Sequence, residues 1–263
     1  MIRGLYTSAI GMAAQMKRLD ATSHNLANAN TPGFKRDVVI TQAFDDVLMR
    51  RVRDYEMRGI NAINPSSDPN IGPGSLGLII STLHRDFSPG SLQPTDRPLD
   101  LALDRSGFFQ VSFTNTDGET IMKYTRGGAF TLTDGGMLVT LSGHPVMNAS
   151  GSPIIIPPGN IHITPQGVII VNDEVVDTIN LVAFEDMTTL RPFGDNLFTT
   201  TEESVATAYA GMLMQGYVET SNVNMVREMA EMISLSRAYE ANARMLAIAD
   251  QTLGQAVSEI ARR

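Results

Sequence analysis

Both ends of this 263-residue chain carry apolar residues at heptad spacing, and that constrains its fold more than any other feature. Ile2, Leu5, Ala9, Met12, Met16, Leu19 and Leu26 advance by threes and fours, with Ser23 in the one polar gap. Side chains three and four apart share one face of a helix, so the run predicts a helix with an a/d seam. Asn28-Ala29-Asn30-Thr31-Pro32-Gly33 ends it, because Pro32 lacks the N–H that a helix needs and biases Thr31 away from helical angles. At the other end Met225, Met232, Tyr239, Leu246, Leu253 and Ile260 recur every seven residues, with Leu235, Asn242, Ala249 and Ala256 interleaved. Ser221, Asn222 and Asn224 are candidate N-caps for this second helix.

A further apolar stripe, Val226, Met229, Ala230, Ile233, Met245 and Ile248, falls on another face of the C-terminal helix. An amphipathic helix resting on one core needs one stripe. Two stripes imply two partners, the N-terminal helix of the same chain and neighbouring chains. A helical hairpin that buries both stripes inside a monomer is the alternative.

Between the ends the texture is that of short strands. Phe108–Phe113, Met122–Thr125, Ala129–Leu132, Met137–Leu141, Val168–Val171 and Thr178–Phe184 alternate with turn signals at Thr116-Asp117-Gly118, Asp134-Gly135-Gly136 and Asn172-Asp173. The expected fold class is α+β: terminal helices packed as a coiled-coil-like α domain, with a central all-β domain of short antiparallel strands. The expected boundaries are 1–33 and 217–263 for the discontinuous helical domain and 76–199 for the β domain. Residues 34–75 read as a linker with a short helix near Ala43–Arg51 and a Pro/Asn/Gly-rich loop at 59–75, and 200–216 as a return linker.

The net charge of −8 is concentrated in the middle, where residues 61–222 hold six Lys/Arg against seventeen Asp/Glu. Phosphate binding needs a basic face, so nucleic acid is not an expected partner. Runs such as Leu78-Ile79-Ile80 are far shorter than the ~20 residues of a membrane-spanning helix. The first residues lack the apolar core and small-residue cleavage site of a secretory signal. With no cysteine, thiol chemistry and disulfides are excluded. His24, His84, His144 and His162 lack metal-ligand spacing, and Gly72–Gly77 fits G-x-G-x-x-G without the strand before it and helix after it that dinucleotide binding requires. No catalytic, cofactor or metal site is expected, and the chain reads as a non-enzyme.

The strings Asn25-Leu26-Ala27-Asn28-Ala29-Asn30-Thr31-Pro32-Gly33-Phe34-Lys35 and Gly216-Tyr217-Val218-Glu219-Thr220-Ser221-Asn222-Val223-Asn224 resemble the terminal signatures of bacterial flagellar rod and hook proteins. Arg237-Ala238-Tyr239-Glu240-Ala241-Asn242 near the C-terminus resembles the same family, as do Pro98–Ala102, Gly107–Val111 and Tyr124–Phe130 in the middle. His24 and Asp96 depart from it, standing where the family often has Asn and Gly.

The resemblance implies a structural subunit of the flagellar basal-body rod, without cofactors, exported by the flagellar type III apparatus. It further implies helical polymerisation with copies of itself and with other rod and hook axial proteins, to form the drive shaft that transmits motor torque. Val218–Asn224 resembles the distal rod type, while Arg3-Gly4-Leu5-Tyr6-Thr7 also resembles the proximal type. Leu5, Met12, Met16, Leu19, Leu26, Met232, Leu235, Tyr239, Leu246, Leu253 and Ile260 are the expected packing residues. Asn25, Asn28, Thr31, Gly33, Phe34, Gly216, Ser221, Asn222, Asn224, Arg237 and Tyr239 carry the family signature. A non-catalytic adaptor, a helical hairpin with a β recognition domain, is the reading from a different class.

Overall fold

A computed structural model describes residues 2–44, 47–50, 70–74, 77–115 and 118–261. Two long helices bracket a run of short strands: α1 spans Ile2–Ala27 and α2 spans Met225–Ala261. At about 1.5 Å per residue α2 is about 55 Å long. The α+β class is thus observed, with both helices where the heptads put them.

The chain divides into two compact units. The first comprises Met1–Thr22, Val39–Leu83 and Ala230–Arg263, and so holds most of both helices. Gly11 of α1 lies against Asn242 of α2, close enough that a β-carbon on Gly11 would sit 3.1 Å from Asn242 Nδ2. Nearby Ala14 is buried. Small residues at 11 and 14 allow close approach here, while Met16 on the apolar seam is 53% exposed.

Residues 34–75 are not simply a linker. Asp37–Ala43 forms a strand paired with Leu78–Arg85, and Val47–Arg50 pairs antiparallel with Asn70–Gly74. The β-branched run Val38-Val39-Ile40 favours the first of these strands. Val47–Arg50 is strand where a short helix was expected, because the tertiary pairing overrides a weak local preference. Of the 59–75 loop, residues 59–69 and 75 lie outside the described residues, as do Thr116 and Asp117 of one expected turn.

The second unit comprises Ser23–Val38 and His84–Met229. Its largest sheet is antiparallel, with strands in the order 191–192, 197–199, 120–125, 108–114, 181–184 and 206–208. Adjacent side chains of a strand point to opposite faces. Phe108 and Phe109 are both buried, so this sheet is covered on both sides. Phe109 enters a core with Leu101, Val111, Phe130, Leu138 and Ile169. Phe108 enters an aromatic cluster with Phe87, Phe184 and Phe198, at ring separations of 5.4–6.1 Å. Asn172 and Asp173, at φ 51° and 69°, close the tight hairpin between Val168–Val171 and Glu174–Thr178. The span 200–216 also contributes strands, at Ala206–Ala208 and Leu213–Gln215. Among the described residues no helix is long and apolar enough to cross a membrane.

Candidate functional site

Within the second unit, the chain leaving α1 and the chain entering α2 meet in a buried network of charged side chains. Asn25, 1% exposed, is the last fully buried residue of α1. Its amide treats the backbone of Asp37 as a neighbouring strand would: Asp37 N–H donates to Asn25 Oδ1 at 2.8 Å and Asn25 Nδ2 donates to the Asp37 carbonyl at 2.9 Å. Asn28 works locally, donating to the His24 carbonyl and accepting from the Thr31 hydroxyl as the helix ends.

Gly33 turns the chain with φ +68°, a region that costs other residues a Cβ–carbonyl clash. Its N–H donates to the Glu219 carbonyl at 2.8 Å, and a β-carbon there would lie 2.5 Å from the Arg126 carbonyl carbon. Phe34 follows, buried, with the His24 ring edge-on at 5.4 Å and the Arg85 guanidinium 5.8 Å from its centroid.

Three buried carboxylates organise the rest. Glu219 accepts from Lys35 Nζ at 2.6 Å, from Gly90 N–H at 2.9 Å and from Arg126 Nε. Arg126 also donates to the carbonyls of Arg105, Gly107 and Leu103, and Lys35 to that of Ser88. Glu228, in the first turn of α2, accepts from Arg36 Nε at 2.6 Å. Asp37 accepts a two-pronged contact from Arg85 at 2.7 and 2.9 Å, with His24 Nδ1 at 3.2 Å. Such forks fix orientation as well as distance.

Burial by itself pushes the Glu219 carboxyl up, but the Arg126 charge and the Lys35 ammonium outweigh it and hold the group below its ordinary value. Burial pushes Lys35 the other way, below its ordinary value, with Glu219 offsetting part of the effect. Desolvated pairs of this kind add little net stability, yet removing one partner strands a buried charge. The arrangement is a clamp, suited to holding the ends of two helices in fixed orientation. It offers no nucleophile or general base to a substrate.

The C-terminal signature divides its labour. Asn224 is the cap of α2, its Oδ1 accepting from Arg227 N–H at 3.1 Å. Ser221 Oγ accepts from Val223 N–H. Asn222 does not cap; it accepts from Arg36 N–H and donates to the Asp86 and Ser88 carbonyls, stitching three segments together. Gly216, at φ +78°, exchanges backbone hydrogen bonds with Asp100 and Thr95. Arg237 is exposed on α2.

Of the predicted packing residues, Leu235 is buried, while Leu5, Met12, Leu19, Leu26, Met232, Leu246 and Leu253 are half-buried. Met16, Tyr239 and Ile260 are exposed, at 53%, 38% and 76%. The second stripe stands in solvent within the single chain: Val226 is 77% exposed, Ile233 56% and Ile248 57%. Sequence reasoning missed Asp37, Arg85, Arg126, Glu219 and Glu228 as site residues. Glu219, between Val218 and Thr220, and Arg126, between Thr125 and Gly127, gave the signal of a lone charge in a small or apolar motif, whereas Asp37, Arg85 and Glu228 stand beside other charged or ionisable residues and gave none.

Three family descriptions match the chain: flagella basal body rod protein over residues 5–35, flagellar hook protein FlgE/F/G D1 domain over 102–171, and flagellar basal body rod FlgEFG protein C-terminal over 214–259. The first match ends at Lys35 and the last begins just before Gly216, so the clamp lies where both terminal matches meet the β unit. The flagellar basal-body rod protein FlgG of Caulobacter vibrioides is 36% identical over 274 residues, covering 98% of this chain and 99% of the relative. FlgG of Buchnera aphidicola subsp. Acyrthosiphon pisum is 34% identical over 264 residues, covering 96% and 98%. The flagellar hook-basal body complex protein FlhO of Bacillus subtilis is 29% identical over 276 residues, covering both chains throughout. The chain belongs to the family of flagellar basal-body rod proteins, whose members are structural proteins and not enzymes.

Proposed function

We propose that this chain is a rod subunit that polymerises helically through its two terminal helices, with copies of itself and with other rod and hook axial proteins. The rod so formed carries motor torque outward, and its subunits reach it through the flagellar type III export apparatus. The observation that carries the reading is the contrast between a β unit with a closed core and an α2 helix that keeps an apolar stripe in solvent. Burying a large aliphatic side chain stabilises by about 1.5–3 kcal/mol, so a stripe at Val226, Ile233 and Ile248 favours contact with a neighbour. The clamp fits the same role, since it ties the helix ends to the β unit through buried, oriented ion pairs. A distal position is supported by the FlgG relatives and by Val218–Asn224.

The test is the double substitution Ile233→Asp with Ile248→Asp. Both side chains are more than half exposed, so the isolated chain should unfold at an unchanged denaturant midpoint. Incorporation into basal bodies and swimming should be lost. Normal incorporation and motility would overturn the reading, and terminal helices that resist protease in the monomer would favour the adaptor.

A further inference from the structure

Methionine is concentrated on the helix faces left open to solvent. Met16 of α1 is 53% exposed, and on α2 Met229 is 46% and Met245 60% exposed; Met225, 38% exposed, opens α2 outside the stripe. Met229 and Met245 belong to the stripe that carries Ile233 and Ile248. In the β unit Met147 is 3% exposed, whereas Met122 and Met212, 36% and 64% exposed, lie outside both helices. A thioether is the most readily oxidised side chain in a protein without cysteine, and its reaction follows exposure.

We propose that Met16, Met229 and Met245 are oxidation sites of the unassembled subunit, and that their conversion to sulfoxide blocks self-association until it is reversed. The inference rests on the assembly reading above. The oxidant is hydrogen peroxide: the sulfur attacks one oxygen, the S–O bond forms as the O–O bond breaks, sulfur loses two electrons, and the proton of the transferred oxygen passes to the departing hydroxide, which leaves as water. The product replaces an apolar contact atom with a polar acceptor. Closing a helix–helix seam over that acceptor without a donor strips its water away uncompensated. Burial in the assembled state would protect the same sulfurs, so susceptibility belongs to free subunits and is withdrawn on incorporation.

The experiment treats the purified full chain with hydrogen peroxide, maps sulfoxides by peptide mass spectrometry and follows self-association by light scattering. The exposed Met16, Met122, Met212, Met225, Met229 and Met245 should oxidise well before the buried Met147, and association should weaken at least tenfold. Methionine sulfoxide reductases acting on both epimers should restore it. The triple variant Met16→Leu, Met229→Leu, Met245→Leu keeps side-chain volume close to that of Met. It should associate normally and stay insensitive to peroxide although Met122, Met212 and Met225, all exposed, are still oxidised. Unimpaired association with all three positions oxidised, or loss of association in the oxidised triple variant, would overturn this inference alone. A reduced chain that never self-associates would overturn the assembly reading and this inference with it.

Discussion

Replacing Gly33 with alanine separates two demands made on one residue. The first is conformational: φ is +68°, where an L side chain costs about 1–2 kcal/mol. The second is spatial. A β-carbon would lie 2.5 Å from both the Arg126 carbonyl carbon and the Gly127 nitrogen and 2.6 Å from the Arg126 carbonyl oxygen, well inside van der Waals contact. These are backbone atoms, so no rotamer change relieves the overlap. The 126–127 backbone must move, and it carries the guanidinium that holds Glu219. Overpacking of this kind costs about 1–3 kcal/mol, which gives a total near 3–4 kcal/mol. Gly216 supplies the control: its φ is +78°, but nothing lies within 4 Å of where a β-carbon would go. Gly216→Ala should therefore cost only about 1–2 kcal/mol. Urea unfolding of both variants, followed by circular dichroism and tyrosine fluorescence, should show Gly33→Ala less stable by about 2 kcal/mol. Equal losses would refute the claim that close packing of the α1 exit on the Arg126 segment requires glycine there.

Glu219→Gln keeps the shape of the clamp but leaves Lys35 and Arg126 without their shared charge; unfolding experiments should register a loss of about 3 kcal/mol or more. Because the folded Glu219 carboxyl sits below its ordinary value of 4.5, its contribution is fully present above about that pH and is lost as pH falls further. Denaturant midpoints measured through that range should fall more steeply for the native chain than for Glu219→Gln. Asp96 holds a left-handed φ of +57° at an exposed position, so Asp96→Gly should raise stability by about 1 kcal/mol in the same assay.

The helices were legible from the sequence because a repeat of seven has one physical reading in a chain with clear stop and start signals. Pro32-Gly33 and Asn224 bound α1 and α2 within a few residues of their observed limits, Ala27 and Met225. Alternation and turn residues likewise located most strands, and Asn172-Asp173 marked a hairpin by chemistry alone. The exposed second stripe on α2 was also visible, since a helix carrying two apolar faces needs more partners than one chain provides.

The tertiary structure decided which neighbours each residue meets. On α1 the side chains brought closest to full burial are Ala14, Thr22 and Asn25 and not Met16, because small residues let backbones approach while the larger seam residues stand off. Asn222 resembled a cap locally, but the fold spends it 186 residues away on Arg36. Glu219 pairs with Lys35 across 184 residues and with Arg126 across 93. A lone charge in a sequence reads as solvated, since desolvating it is unfavourable without a partner. Only the folded chain brings the partners together, and that is why both helices were predictable from their own residues while the clamp that holds their ends was not.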